Sequence, residues 1–123
     1  MKHSILLALA LAANARAGVP DNQAVRAILG EGANQPYAAK LAIACVIRNR
    51  GSLRGVYGIT NELPQHCSAR MRNDALRAWR ESATHDVTGG CKYFGCPTDA
   101  WYFVGKLHFH PVMTIGTTTF YKP

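Results

Sequence analysis

Residues 26–50 read RAILGEGANQPYAAKLAIACVIRNR, and they hold the end of one helix, a turn and a complete second helix. From Tyr37 onward, Leu41, Ala44, Cys45 and Arg48 fall along one side at helical spacing, with Ile43 and Ile47 on an adjoining one. The run Tyr37–Arg50 is apolar almost all round until Arg48, which predicts a central, buried helix. Gly51 stops it. Upstream, Val25, Ile28 and Leu29 share a face, so a first helix is predicted from a cap at Asp21 or Asn22 to about Glu31. Gly30-Glu31-Gly32 then breaks that helix. Asn34-Gln35-Pro36 is a turn, with Pro36 placed near the start of the next helix.

Working outward, residues 51–72 carry Gly, Pro and scattered polar residues and read as loop. Asn73 can cap a third helix from Asp74 to about Thr84, with Leu76, Trp79 and Ala83 as its apolar stripe and Arg72, Arg77 and Arg80 in water. Thr88-Gly89-Gly90 is a turn. Beyond it, Trp101–Val104, Leu107–His110 and Thr117–Tyr121 are runs of β-formers, punctuated by Gly105 and Pro111. The pattern predicts a small single α+β domain, helices first and short β-segments at the C-terminal end.

The chain has 123 residues, enough for one domain. With 48% hydrophobic and 17% charged residues it is neither disordered nor highly charged. No apolar run reaches the roughly 18 residues needed to span a bilayer. Lys2 and His3, the apolar stretch Ile5–Ala13 and the small-x-small triplet Ala15-Arg16-Ala17 form a secretory signal peptide pattern over residues 1–17. Cleavage after Ala17 would leave residues 18–123 as the mature domain, secreted or periplasmic. All four cysteines lie in that part, and export makes disulfides plausible. Proximity favours Cys91–Cys96, which leaves Cys45–Cys67; Cys45, in an apolar helical run, could equally be a buried free thiol.

Glu31 is the most informative acid. Glycines on both sides would let a ligand approach the backbone. Nearby apolar residues could desolvate the carboxyl and raise its pKa, which suits a general acid near neutral pH. A plain exposed loop glutamate would have the same spacing. His108-Phe109-His110 would put two imidazoles on one strand face, with His66, Cys67, Cys91 and Cys96 as further conceivable ligands. Hydrogen-bonded surface histidines account for the same residues, and no metal or cofactor is expected. The net charge of +7 would draw the protein to an anionic polymer. The arginines at 48, 50, 54, 70, 72, 77 and 80 form no nucleic-acid-reading pattern, so no nucleic-acid partner is expected.

The same stretch, 26–50, resembles the opening of the SleB-type cell wall hydrolase family, in its phage and prophage-like branch. There a helix leads into a Glu followed by a small residue, a turn, and an apolar helix ending in Asn-Arg. Gly30-Glu31-Gly32 matches the first motif and Val46-Ile47-Arg48-Asn49-Arg50 the helix end. Gly51–Gly58, GSLRGVYG, resembles the same branch. Thr88-Gly89-Gly90-Cys91-Lys92-Tyr93-Phe94 resembles the family's Thr-Gly-Gly-Ala-Thr-His-Phe, and Ile115–Tyr121 its closing Ile-Gly-x-His-x-Phe-Tyr. The likeness spans nearly all of residues 18–123.

The resemblance implies a lysozyme-like helical core, peptidoglycan glycan strands as substrate, and Glu31 as the single catalytic acid. The sequence departs from the family at three points. Gln35 stands where many members carry a second acid, Tyr93 where the motif has His, and Thr118 where the closing motif has His. A lone carboxyl favours a lytic transglycosylase over a two-carboxylate hydrolase. Of Asp21, Glu62, Asp74, Glu81, Asp86 and Asp99, none sits in a motif that fixes it opposite Glu31. Asn34 and Gln35 could bond sugar hydroxyls or acetamido groups, and Asn49, with Arg50, could reach substrate from the helix end. Tyr93, Trp101 and Tyr102 could stack on sugar rings. Turn, capping and core roles compete for each. A hydrolytic muramidase, an amidase of the same family and a non-catalytic wall-binding protein stay open. Nothing in the sequence demands a dimer, and a monomer is expected.

Overall fold

The computed structural model describes residues 18–63 and 67–123; the predicted signal peptide and His66 lie outside them. Three helices come first: α1 (Asp21–Gly32), α2 (Tyr37–Arg50) and α3 (Ala69–Glu81). A three-stranded sheet follows, built from β1 (Tyr93–Gly95), β2 (His110–Ile115) and β3 (Thr118–Lys122). The architecture is α+β, as the residue pattern predicts.

Helix α2 is central. Every residue from Ala39 to Ile47 is buried, Lys40 included. Lys40 stays in the interior by donating its Nζ to the Gln35 carbonyl at 2.7 Å, and burial lowers its pKa. Gly51 ends the helix in the left-handed conformation, φ 71°, its N–H closing back on the Ile47 and Arg48 carbonyls. Helix α1 packs on α2 through Ala24, Ala27, Ile28 and Leu29. Asp21 is not its cap; its Oδ1 accepts from Trp79 Nε1 at 2.7 Å and ties α1 to α3.

Helix α3 starts before the predicted Asp74. The Ser68 hydroxyl accepts from the Met71 N–H and caps it, so Asn73 and Asp74 lie inside the helix. Trp79 and Ala75 bury as the apolar stripe, with Ala78 beside them in place of Leu76 and Ala83. Arg48 reaches from α2 onto this helix. Its guanidinium lies 3.7 Å over the Trp79 ring and donates to the Trp79 carbonyl and the Ser82 hydroxyl.

The sheet is antiparallel in the order β1-β3-β2. Phe120 and Tyr121 on its middle strand are buried, and Phe120 joins the sheet to the core of the helices. Two predicted strands do not form. Trp101–Lys106 is a wide π-type turn. Phe103 stacks on Tyr121 at 4.6 Å, while Trp101 and Tyr102 stay exposed, an arrangement that the two-residue period of a strand would not give. Leu107–Phe109 is connecting chain. His108 sits at φ 59° and the Phe109 N–H closes on the Phe103 carbonyl, so the ladder begins only at His110. His108 and His110 therefore share no strand face. Among the described residues no three His, Cys, Asp or Glu side chains converge as a metal site.

The disulfide expectation is corrected. All four cysteines are free thiols. Cys91 is buried and donates to the Thr88 carbonyl, whereas Cys96 lies exposed on the far side of β1 beside Asp99. The extended strand between them carries their Cα atoms apart at about 3.3 Å per residue, and a bridge tolerates about 7 Å. Cys45 is buried under the His85 carbonyl, and burial pushes its thiol up to about 11.

Candidate active site

Glu31 lies in the last turn of α1, which runs unbroken through both flanking glycines. The glycines make room rather than a break. A Cβ at Gly30 would overlap the Gly58 carbonyl oxygen, and one at Gly32 would stand 2.8 Å from Gln35 Cγ. What approaches the backbone is therefore the chain itself: the short 3-10 turn Tyr57–Ile59 lies directly on α1. Glycine is required on both sides of that contact, since a Cβ at Gly58 would overlap the Ala27 carbonyl and stand 2.6 Å from Glu31 Cγ.

Polar bonds lock the turn in place. Arg26 donates to the Gly58 carbonyl at 2.9 Å and to the Asn61 carbonyl, and Asn61 donates back to the Gly30 carbonyl at 3.1 Å. The Gly58 N–H donates to Glu31 Oε1 at 2.7 Å, which fixes one oxygen of the carboxyl. Among the described residues Glu31 forms no ion pair.

This half-buried carboxyl lines a groove of about 560 Å³, whose walls include Arg50, Tyr57, Asp99, Trp101 and Tyr102. Burial raises its pKa above the usual 4.5; the Gly58 bond opposes that, and the negative charge of Asp99 adds to the rise. A carboxyl so placed holds its proton to higher pH than an exposed glutamate and can deliver it to a leaving oxygen. Once ionised, it can take a proton back through the same atoms.

The predicted substrate contacts divide. Trp101 lines the groove and is 67% exposed. Asn34 is exposed and lies with Gln35, Glu62 and Glu31 along a smaller groove of about 240 Å³ at the end of α1. Gln35 uses its amide within the fold, donating to Thr117 Oγ1 at 2.7 Å and accepting from the Thr117 N–H at 3.1 Å. It thereby pins the β2–β3 turn, where Gly116 at φ 61° leaves it space.

Asn49 and Tyr93 do not line either groove. Asn49 donates to Asp86 Oδ2 and to the Cys91 carbonyl. Burial pushes Asp86 up, but bonds from Thr88 Oγ1, Asn49 Nδ2 and the Thr88 and Gly90 N–H groups together hold it below the usual carboxylate range. The Thr88-Gly89-Gly90 turn is thus wrapped around one carboxylate. Tyr93 is half-buried against Phe109, ring centroids 4.7 Å apart, with the Arg50 guanidinium 5.7 Å from its ring.

Sequence reasoning missed Tyr57 and gave Asp99 no place. Both come from connecting segments, where no periodicity marks a position. The GSLRGVYG stretch, whose closing Gly58 touches Glu31, was the available signal for Tyr57.

No protein-family model and no curated protein sequence matches the chain. Two solved structures share its fold. The catalytic domain of the germination-specific lytic transglycosylase SleB from Bacillus anthracis aligns with a TM-score of 0.59 at 24% identity, covering 83% of this chain and 93% of that one. The catalytic domain of the Bacillus cereus SleB protein aligns with a TM-score of 0.54 at 21% identity, covering 85% and 96%. The fold expected from the SleB-type resemblance is the fold observed.

Proposed function

We propose that this protein cleaves the glycan strands of peptidoglycan as a lytic transglycosylase, with Glu31 as its single acid and base. One observation carries the reading: an unpaired, partly desolvated carboxyl, held by the Gly58 N–H, opens into a groove lined by exposed aromatics. The fold it shares with a lytic transglycosylase domain supports the reaction class. Glu31 protonates the glycosidic oxygen between the muramyl and glucosaminyl units, and the bond breaks. The resulting carboxylate removes the proton of the muramyl C6 hydroxyl, whose oxygen closes a 1,6-anhydro ring. The proton returns to Glu31, so the cycle closes without water. Residues 18–123 form the catalytic domain, reached by export through the leader at 1–17. The protein works in the periplasm or outside the cell, as a monomer, without a cofactor. Trp101 contacts substrate from the main groove. Asn34 and Gln35 border the smaller groove, whereas Asn49 holds the Asp86 turn and Tyr93 packs on Phe109.

Asp99 favours a second reading. A second carboxylate in the same groove could activate water, as a hydrolytic muramidase requires. Mass spectrometry of digested sacculi separates the outcomes. Anhydro-muramyl ends are expected. Reducing muramyl ends that are lost on Asp99→Asn assign hydrolysis with Asp99 as partner, and freed stem peptides with intact glycan overturn glycosidic cleavage altogether.

A further inference from the structure

Among the described residues, Arg50 is the one basic side chain on the wall of the Glu31 groove, where Glu31 and Asp99 are the acids. No carboxylate of those residues lies within ion-pair distance of it, although Asp99 shares the groove. Asp99 is engaged elsewhere: its Oδ2 accepts from the Cys96 N–H at 3.0 Å and from the Cys96 thiol at 3.2 Å. Arg50 is half-buried on a wall whose other members are mostly apolar, Phe94, Trp101 and Phe103 among them. A charge so placed acts more strongly than it would in bulk water.

The guanidinium is held but not used up. Its Nη2 donates to the Arg54 carbonyl, and it lies 5.7 Å from the Tyr93 ring. Gly55 gives it room, since a Cβ there would stand 3.0 Å from Nη2. The remaining N–H groups form no hydrogen bond among the described residues, so most of the planar fork stays open. Arg48, two residues earlier, is the contrast: it spends its guanidinium on the Trp79 ring and carbonyl and on Ser82. Arg50 also keeps clear of the acid. Burial and Asp99 raise the Glu31 pKa, and Arg50 is not among the charges that act on it. A guanidinium against Glu31 would favour the carboxylate and cost the acid its proton; one elsewhere on the wall can hold an anion without doing so.

The glycan proposed as substrate carries a suitable anion. Each muramyl unit bears a lactyl ether, ending in its own carboxylate or amide-linked to a stem peptide with free carboxylates. The N-acetylglucosamine units bear none. We infer that Arg50 binds a carboxylate on the lactyl arm of a muramyl unit, through the fork geometry that suits guanidinium to carboxylate. Arg50 is thereby a specificity-determining residue, which registers a muramyl rather than a glucosaminyl unit in the groove. The inference rests on the reading of Glu31 as the cleaving acid, but its test measures binding alone.

In the full chain carrying Glu31→Gln, soluble glycan fragments of equal length are titrated by calorimetry. One kind keeps its stem peptides, one is freed of them to leave lactyl carboxylates, and one has those carboxylates capped as neutral methylamides. At least one carboxylate-bearing fragment should bind about five- to tenfold more tightly than the capped one. Adding Arg50→Gln should abolish that preference, with the affinity for the capped fragment and the thermal melt unchanged. Arg50→Lys should keep part of it, because it keeps the charge and loses the fork. A preference confined to the peptide-bearing fragment names the stem as the source of the carboxylate; one already present in the peptide-free fragment names the lactyl group. If Arg50→Gln melts early, Arg50→Met, which keeps the aliphatic stem, carries the same comparison. Raising salt from about 50 to about 300 mM should also shrink the preference in the protein that keeps Arg50. The inference is overturned if no fragment binds, if all bind alike, if Arg50→Gln keeps the preference, or if it weakens the capped fragment as much as the charged ones. If Glu31→Gln still cleaves sacculi while Arg50→Gln loses the preference, the catalytic reading fails and the carboxylate contact stands.

Discussion

Gly58→Ala tests the contact on which the site is built. The backbone at Gly58 is outside the left-handed region, so alanine meets no conformational penalty there. The difficulty is space: the added methyl would overlap the Ala27 carbonyl and stand 2.6 Å from Glu31 Cγ and 2.9 Å from Glu31 N. The Ala27 and Glu31 backbone atoms belong to α1 and cannot yield as a flexible side chain would. The Tyr57–Ile59 turn has to lift instead. Overpacking of this kind costs about 1–3 kcal/mol. Lifting the turn also breaks the Gly58–Glu31 bond, a charge-assisted contact of about 1.5–3 kcal/mol when fully made, less here because Glu31 is half-exposed. A loss of about 2–4 kcal/mol lowers the melt of a domain this size by roughly 10 °C or more. The functional effect is larger, because the carboxyl loses its orienting donor and Tyr57 moves with the turn. Without the N–H that favours the ionised form, the Glu31 pKa rises further, so any residual activity extends to higher pH. Gly105→Ala is the control. A Cβ there meets nothing within 4 Å, and its melt should be unchanged or slightly higher. The assay is a thermal melt with sacculus clearing across pH. A Gly58→Ala protein with the parent's melt and activity refutes the packing argument.

Other outcomes follow from the charges and thiols. Asp99→Asn removes a negative charge that raises the Glu31 pKa, so the alkaline limb of the rate–pH profile should move to lower pH; an unmoved limb means the two carboxyls do not interact. Asp86 is depressed in the fold, so its stabilisation is present above its unfolded pKa and is lost as pH falls through its lower folded value. Asp86→Ala should therefore cost about 1–2 kcal/mol at neutral pH, the exposure of the carboxylate screening its bonds, read by urea titration, with a progressively smaller difference from the parent below about pH 4. The denatured protein should titrate four free thiols, with Cys96 alkylated before buried Cys45 in the native state, and a reductant should leave the melt unchanged.

The helical half of the fold was legible because its signals are local and periodic. In α2 the apolar run, Pro36 and Gly51 all mark the same element, and the burial of Ala39–Ile47 follows from them. The start of α3 was not, because Ser68 caps it from within a stretch whose composition reads as loop. Trp101–Val104 has the composition of a strand, yet tertiary stacking of Phe103 on Tyr121 decides its shape. The glycines around Glu31 suggest a helix break and room for a ligand, but the helix runs through them and what approaches is the Gly58 turn, 27 positions away in sequence. Cysteine spacing could not reveal that β1 separates Cys91 from Cys96. In the site, Glu31 was legible through its motif. Asp99 and Tyr57 reach the groove from connecting segments, and only the packing of α1 against the Tyr57–Ile59 turn and of Phe103 against the sheet brings them there.

The most direct measurement compares the parent and Glu31→Gln on purified sacculi, following turbidity together with each protein's thermal melt. The account predicts that the amide variant folds as the parent does, with Gly58 still bonded to its side-chain oxygen, and that clearing stops. Clearing at the parent's rate by a folded Glu31→Gln protein would contradict it.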